Sequence, residues 1–245
     1  HKSSHSFPTR RSSDLAELIE VYMGDLVGDK VFDKYGLEFP VLLKFIDSRD
    51  KLSVQVHPSD KFAEEHDSSR GKTEMWYIVD ADPDGAIYLD FERKTTKEEY
   101  LSAVADGTVD RLLHKIEVKK GEAYFVPAGT VHAICSGVLI AEIQETSDVT
   151  YRIYDWGRLG KDGRPRQLHT EQAAEVINFT PRTDLDITRR PRAGESGQLV
   201  SCEHFTVNLI CLDGAIEADY APLDSFVAYM CVEGEAEIIC GGERE

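Results

Sequence analysis

The stretch VKKGEAYFVPAGTVH, residues 118–132, decides how the chain is read. Gly121 permits a tight turn, and residues 124–126 read as a short buried strand. Pro127 and Gly129 force a second turn, which places His132 at the head of the next strand. This hairpin aims one imidazole into the mouth of a barrel. Upstream, residues 52–58 read LSVQVHP. Side chains two apart in an extended chain share a face, so Gln55 and His57 point the same way. Glu74, in GKTEMWYIV, heads another strand-like run. One carboxylate, two imidazoles and one amide oxygen could thus converge on a divalent metal. A lone histidine is usually a core or surface residue. The shared parity of Gln55 and His57, with the turn that presents His132, favours a ligand set. Gln55 is the weakest member, since a neutral amide could equally bond a substrate.

Four motifs stand in order: QVHP at 55–58, GKTE at 71–74, GTVHAI at 129–134 and TYRIYDWGR at 150–158. The GTVHAI turn matches the second signature of cupins, small jelly-roll barrels that carry a metal inside. Together the motifs resemble the short bacterial type I mannose-6-phosphate isomerases, or phosphomannose isomerases, from about residue 18 onward. The resemblance implies an aldose–ketose isomerase that interconverts mannose 6-phosphate and fructose 6-phosphate through a cis-enediol. It assigns Gln55, His57, Glu74 and His132 to one Zn2+ per chain. It makes Arg152 the active-site arginine, holding the enediolate, the phosphate or both, and it lines the substrate cleft with Lys72. Many metal cupins carry HxH where this chain has QVH, and a shorter gap before the carboxylate. That departure fits the isomerase subgroup and disfavours iron oxygenases. Another metal-dependent cupin enzyme, or a non-catalytic sugar-phosphate-binding cupin, is the alternative.

The residues around these motifs have bland readings as well. Arg152 and Tyr154 share one strand face, and an arginine pointing into a barrel is costly unless paired. It is either a structural salt bridge to Asp155 or Glu142, or a planar fork for oxyanions. Lys72 is either a solvated loop lysine or shares the face of Glu74. Glu142, inside the apolar run GVLIAEIQ, is either a buried partner for Arg152 or a carboxylate near the proton-transfer path. The base stays open among Glu142, Lys72 and a metal-bound hydroxide. His66, His114, His169 and His204 read as structural or surface residues, and Trp76, Tyr77 and Phe125 as core.

Composition bounds the rest. A length of 245 residues suits one large domain or two small ones, and 41% hydrophobic residues suffice for a core. A net charge of −17 argues against nucleic acid and anionic membrane as partners. A phosphorylated hexose is itself anionic, so a local basic cluster must overcome that field. Arg158, Lys161, Arg164 and Arg166 are placed to supply it. The five cysteines contain no CxxC pair and read as thiols in a reducing cytoplasm. No apolar run approaches the roughly 20 residues of a membrane span.

Residues 1–15 lack an apolar period and an h-region, and read as a non-native or disordered leader. Residues 16–178 read as the metal-bearing catalytic cupin domain. Within it, 40–46 is a continuous apolar strand, and 95–106 and 108–114 are helices covering one flank of the barrel. Thr170 caps a helix over 170–177. A polar linker covers 179–198. Residues 199–245 alternate again, with strands at 204–212, 215–220, 225–232 and 235–239, as the first half of a second jelly roll. The expected fold class is all-β: a cupin jelly-roll barrel with a helical insert, then a partial second jelly roll, the chain being cut at both ends.

Overall fold

The structure is a computed structural model that describes residues 12–160, 162–240 and 243–244. Most of the expected leader, together with Lys161, lies outside the described residues. The chain divides into two compact units, one of His1–Pro40 with Ile216–Glu245, the other of Val41–Ala215.

In the smaller unit, short helices α1 (Ser12–Tyr22), α2 (Gly24–Val27) and α3 (Asp29–Tyr35) follow one another. Gly28 turns the chain between α2 and α3 with φ at +94°, and a Cβ there would lie 2.6 Å from the backbone of Asp224. Only glycine fits. The Asp224 carboxylate accepts the amide of Asp29 at 2.7 Å and so caps α3. The strands expected over 215–239 do not form, apart from the pairing of Ile239–Cys240 with Glu243–Arg244. Alternation becomes a strand only where a neighbouring strand and a core are available. Here Leu223, Val227 and Tyr229 stay exposed.

The larger unit carries two antiparallel sheets. One orders β1 (Val41–Ser48), β8 (Val138–Glu145), β3 (Glu74–Ala81) and β6 (Ala123–Val126). The other orders β5 (Leu113–Glu117), β4 (Ala86–Phe91), β7 (His132–Ile134), β2 (Val54–Val56) and β9 (Tyr151–Tyr154). Trp76, Ile78, Val126 and Ile140 of the first meet Ile87, Leu89 and Ile134 of the second in one buried core. Among the described residues the two ladders do not join into a ring.

The outer faces are covered differently. Helices α5 (Lys97–Ala105) and α6 (Thr170–Val176) pack Tyr100, Ala103, Ala173 and Ala174 onto Val54, Val56 and Ile153 of the five-stranded sheet. The helical cover thus stands where the sequence placed it. The hairpin of β10 (Glu195–Ser201) and β11 (Thr206–Cys211) lays Leu199 and Val200 against Met75 and Ala123 of the four-stranded sheet.

Local signals were largely obeyed. Ser59 caps α4 (Asp60–His66) by accepting from Phe62 N. Thr96 and Glu99 form a reciprocal capping box on α5. Two readings need correction. Residues 109–112 make only a 3-10 turn, because Leu113 onward is recruited as β5 beside β4. The cap expected from Thr170 is absent, since His169 holds the cap position and makes no side-chain cap bond. The apolar run 40–46 does form a strand, β1, which lies at a sheet edge with Leu43 and Phe45 exposed.

Candidate functional site

Ladder register brings the motifs together. In the five-stranded sheet Gln55 of β2 stands opposite His132 of β7 on one side and Arg152 of β9 on the other. These three therefore share a face. His57 follows β2 on the same parity. In the four-stranded sheet Trp76 stands opposite Glu142, and Lys44 opposite the same Glu142, while Glu74 stands opposite Gln144. The polar ends of the two inner faces meet at Glu74.

The distances define a tight cluster. His57 Nε2 lies 3.3 Å from Glu74 Oε1, and His132 Nε2 lies 3.8 Å from Glu74 Oε2. All three side chains are 1% exposed. Each ring is oriented from behind: His57 Nδ1 donates to Val149 O, and His132 Nδ1 to Thr130 O, both at 2.9 Å. Those bonds leave both Nε2 lone pairs turned toward Glu74. The Gln55 amide lies 3.3 Å from His132 Nε2. Lys72 Nζ stands 2.8 Å from Glu74 Oε1 and 3.4 Å from His57 Nε2.

This donor set fits a divalent cation. Glu74 Oε1 is buried and has no hydrogen bond, although Lys72 and His57 crowd it outside hydrogen-bond geometry. A buried carboxylate oxygen without a hydrogen bond is costly unless something else satisfies it. Burial pulls His57 below its ordinary pKa and drives His132 down to about 3, so both imidazoles are neutral and able to serve as ligands. Burial alone would raise Glu74, but its polar neighbours, with the Lys72 ammonium 2.8 Å away as the one lasting charge, hold the carboxylate well below its usual range. Two neutral imidazoles and one carboxylate match the ligands that zinc takes.

Arg152 is half-buried. Its Nη1 donates to Gln167 O at 3.0 Å, while Nε is buried without a partner. It makes no salt bridge to Glu142 or Asp155, which corrects both structural pairings expected for it. Asp155 is instead taken by Arg158 and by Arg166, whose Nε donates at 2.7 Å. Burial, then the neighbouring charge of Arg166, lowers the pKa of Arg152. Three guanidiniums around one carboxylate leave a local positive field inside an acidic chain. Glu142 is bonded by Lys44 Nζ at 2.9 Å and by Trp76 Nε1 at 3.1 Å. Burial, with repulsion from Glu74, raises its pKa.

Residues 1–93 match the family Phosphomannose isomerase type I, catalytic domain. The chain is 36% identical over 232 residues to mannose-6-phosphate isomerase ManA of Bacillus subtilis, covering 94% of this chain and 70% of that one. It is 39% identical over 208 residues to mannose-6-phosphate isomerase of Streptococcus mutans, covering 84% of this chain and 65% of that one. The chain belongs to the type I phosphomannose isomerase family. A crystal structure of the Bacillus subtilis mannose 6-phosphate isomerase superposes with a TM-score of 0.67 at 35% identity, over 78% of this chain and 61% of that one. The chain therefore spans about two thirds of the length of these phosphomannose isomerases.

Within this phosphomannose isomerase fold, Gln55, His57, Glu74, His132 and Lys72 come together, Arg152 borders them on the next strand, and Glu142 reaches Glu74 through Trp76. Three contributors escaped the sequence reading. Lys44 bonds Glu142 and Gln144, and Gln144 is itself fully buried. A single lysine inside the apolar run PVLLKFI was the available signal, since a charge there demands a partner. Trp76 is core, as expected, but its Nε1 also donates to Glu74 Oε2 at 3.2 Å. Parity puts Glu74 and Trp76, two apart on β3, on one face, but it does not say that the indole donates.

A separate groove is lined by Phe62, His66, Asp67, Tyr151, His169 and Glu175. Its carboxylates make it a poor seat for a phosphorylated sugar.

Proposed function

We propose that the chain carries the catalytic site of a metal-dependent aldose–ketose isomerase acting on mannose 6-phosphate and fructose 6-phosphate. The observation that supports this most is the buried convergence of His57, Glu74 and His132, with Lys72 2.8 Å from Glu74. In this reading Gln55 completes the ligand set and the cation is zinc, one per chain. A cation held by these residues would supply Lewis-acid polarisation of the substrate's oxygens. Arg152, with Arg158 and Arg166 behind it, draws in the phosphate or the developing oxyanion. The reaction removes a proton from C2 of the open-chain aldose and places the electron pair in a C1–C2 enediol as O1 takes up a proton, then returns a proton to C1 as O2 gives up its own. Glu142, whose pKa is raised by burial, and Lys72 stand on either side of Glu74 as the groups able to hold that proton.

The two facing sheets are read as a cupin jelly roll, with residues 16–178 as the catalytic domain and 179–198 as the linker. Residues 199–245 then begin a second cupin-like domain, of which β10 and β11 form one ladder. The four cysteines with described side chains are all free, which supports a cytoplasmic setting. No helix among the described residues is long and apolar enough to cross a membrane.

Conversion of fructose 6-phosphate to mannose 6-phosphate, assayed before chelation, after it, and after zinc is restored, tests the reading. Activity lost with the metal and regained with zinc is the expected result. Full metal loading without turnover would remove the isomerase assignment and leave a sugar-phosphate-binding protein.

A further inference from the structure

His204 stands in the turn between β10 and β11, far in sequence from the site, yet it touches two residues that hold the strand leading into it. Its Nδ1 lies 2.9 Å from Glu145 Oε1, at ion-pair distance though outside hydrogen-bond geometry, and 3.9 Å from Asp60 Oδ2. Each of those carboxylates is anchored by its other oxygen. Glu145 Oε2 accepts the amide of Thr73 at 2.6 Å, and Asp60 Oδ1 accepts the amide of Gly71 at 2.8 Å. Glu145 also donates its own amide to Thr73 O at 3.1 Å, and Lys72 N donates to Pro58 O at the same length. The three residues 71–73 that precede Glu74 are thus strapped on both sides. Gly71 fits so closely that a Cβ would lie 2.3 Å from Asp60 N.

Two buried or half-buried acids beside one backbone strap repel each other and need a positive partner. His204 is the group that faces both. Glu203, on its own turn, adds a third negative charge, and contact with Glu145 raises the His204 pKa despite its burial.

We propose that His204, acting through Glu145 and Asp60, is a positioning residue that holds residues 71–73 and so aims Lys72 and Glu74 at the reacting centre. The proposal rests on reading Lys72 and Glu74 as working residues. It makes the β10–β11 hairpin part of the catalytic apparatus, and not only a lid on Met75 and Ala123.

Amide hydrogen exchange at Thr73 and steady-state kinetics test it, on His204→Ala, Glu145→Gln and the double variant. His204→Ala should speed exchange at Thr73 about tenfold, the scale of losing one bond to a charged group. It should lower kcat for mannose 6-phosphate by a similar factor with KM little changed. The double variant should be no worse than Glu145→Gln alone, since both act on one strap. If His204→Ala fails to fold, His204→Gln keeps a donor in place and should give the same pattern at smaller size. Unchanged Thr73 exchange in a folded variant overturns the proposal. So does normal kcat with loosened β10–β11 amides, which would make His204 a structural clip. A second equivalent of zinc, bound by the wild type and lost in His204→Ala, overturns it as well, by making the triad a metal site. If the wild type does not isomerise the sugar, the isomerase reading fails, while exchange at Thr73 still decides the hold of His204.

Discussion

Lys72 places its amino group 2.8 Å from Glu74 Oε1, and both side chains are buried. A carboxylate that faces two neutral imidazoles is stabilised by that one neighbouring charge. On the proposed reading the same lysine also lines the substrate cleft. Lys72→Met should therefore lower kcat by about a hundredfold or more, the usual scale for losing a proton-transfer group. Metal analysis should still find the cation. Initial rates beside metal content check both halves.

His57 and His132 supply the imidazole nitrogens and have no substitutes nearby among the described residues. His57→Ala or His132→Ala should abolish both metal content and isomerase activity. Retained metal in either variant would move the site elsewhere.

Arg152 makes no hydrogen bond or ion pair to His57, Glu74 or His132 and has an unpartnered buried Nε. Arg152→Ala should keep the metal and lose turnover by about two to three orders of magnitude. Arg152→Lys should not restore it, because a point charge cannot replace a planar fork. Normal turnover in Arg152→Ala would show that this guanidinium plays no part in the chemistry.

Trp76 Nε1 links Glu74 Oε2, at 3.2 Å, to Glu142 Oε2, at 3.1 Å. Trp76→Phe keeps the ring and removes the donor. Metal affinity should fall roughly ten- to a hundredfold, as for other residues that orient a ligand. Chelator competition measures it without reference to turnover.

The contact with Glu145 raises the pKa of His204 above its ordinary 6.5. A histidine with a raised folded-state pKa stabilises the fold fully below its unfolded value. That contribution is lost as pH rises through the folded value. Urea unfolding of wild type and His204→Gln should therefore differ most near pH 6 and converge toward pH 9. A constant difference across that range would deny the ion pair.

Much of this site was legible because short-range chemistry writes itself into spacing. Parity put Gln55 and His57 on one face, and the turn through Pro127 and Gly129 delivered His132 to the start of β7. The capping box of Thr96 and Glu99, and the Ser59 cap, are bonds between residues three apart. Such bonds form wherever the chain permits them. Over 215–239 the same alternating pattern led to strands that do not form. Alternation states which face wants burial and does not supply the neighbour that would bury it.

By itself the sequence determined the donors: which residues offer nitrogen and oxygen, which pairs share a face, and where the turns fall. Tertiary structure alone decided the pairings. Arg152 lost Asp155 to Arg158 and Arg166, Glu142 took Lys44 and Trp76, and His204 reached back to Glu145 across the outer face of a sheet. Each of these contacts joins charges or dipoles whose partner is chosen by ladder register and by which surface covers which. A buried charge takes the nearest satisfying group in space, and only the packed sheets define what is near.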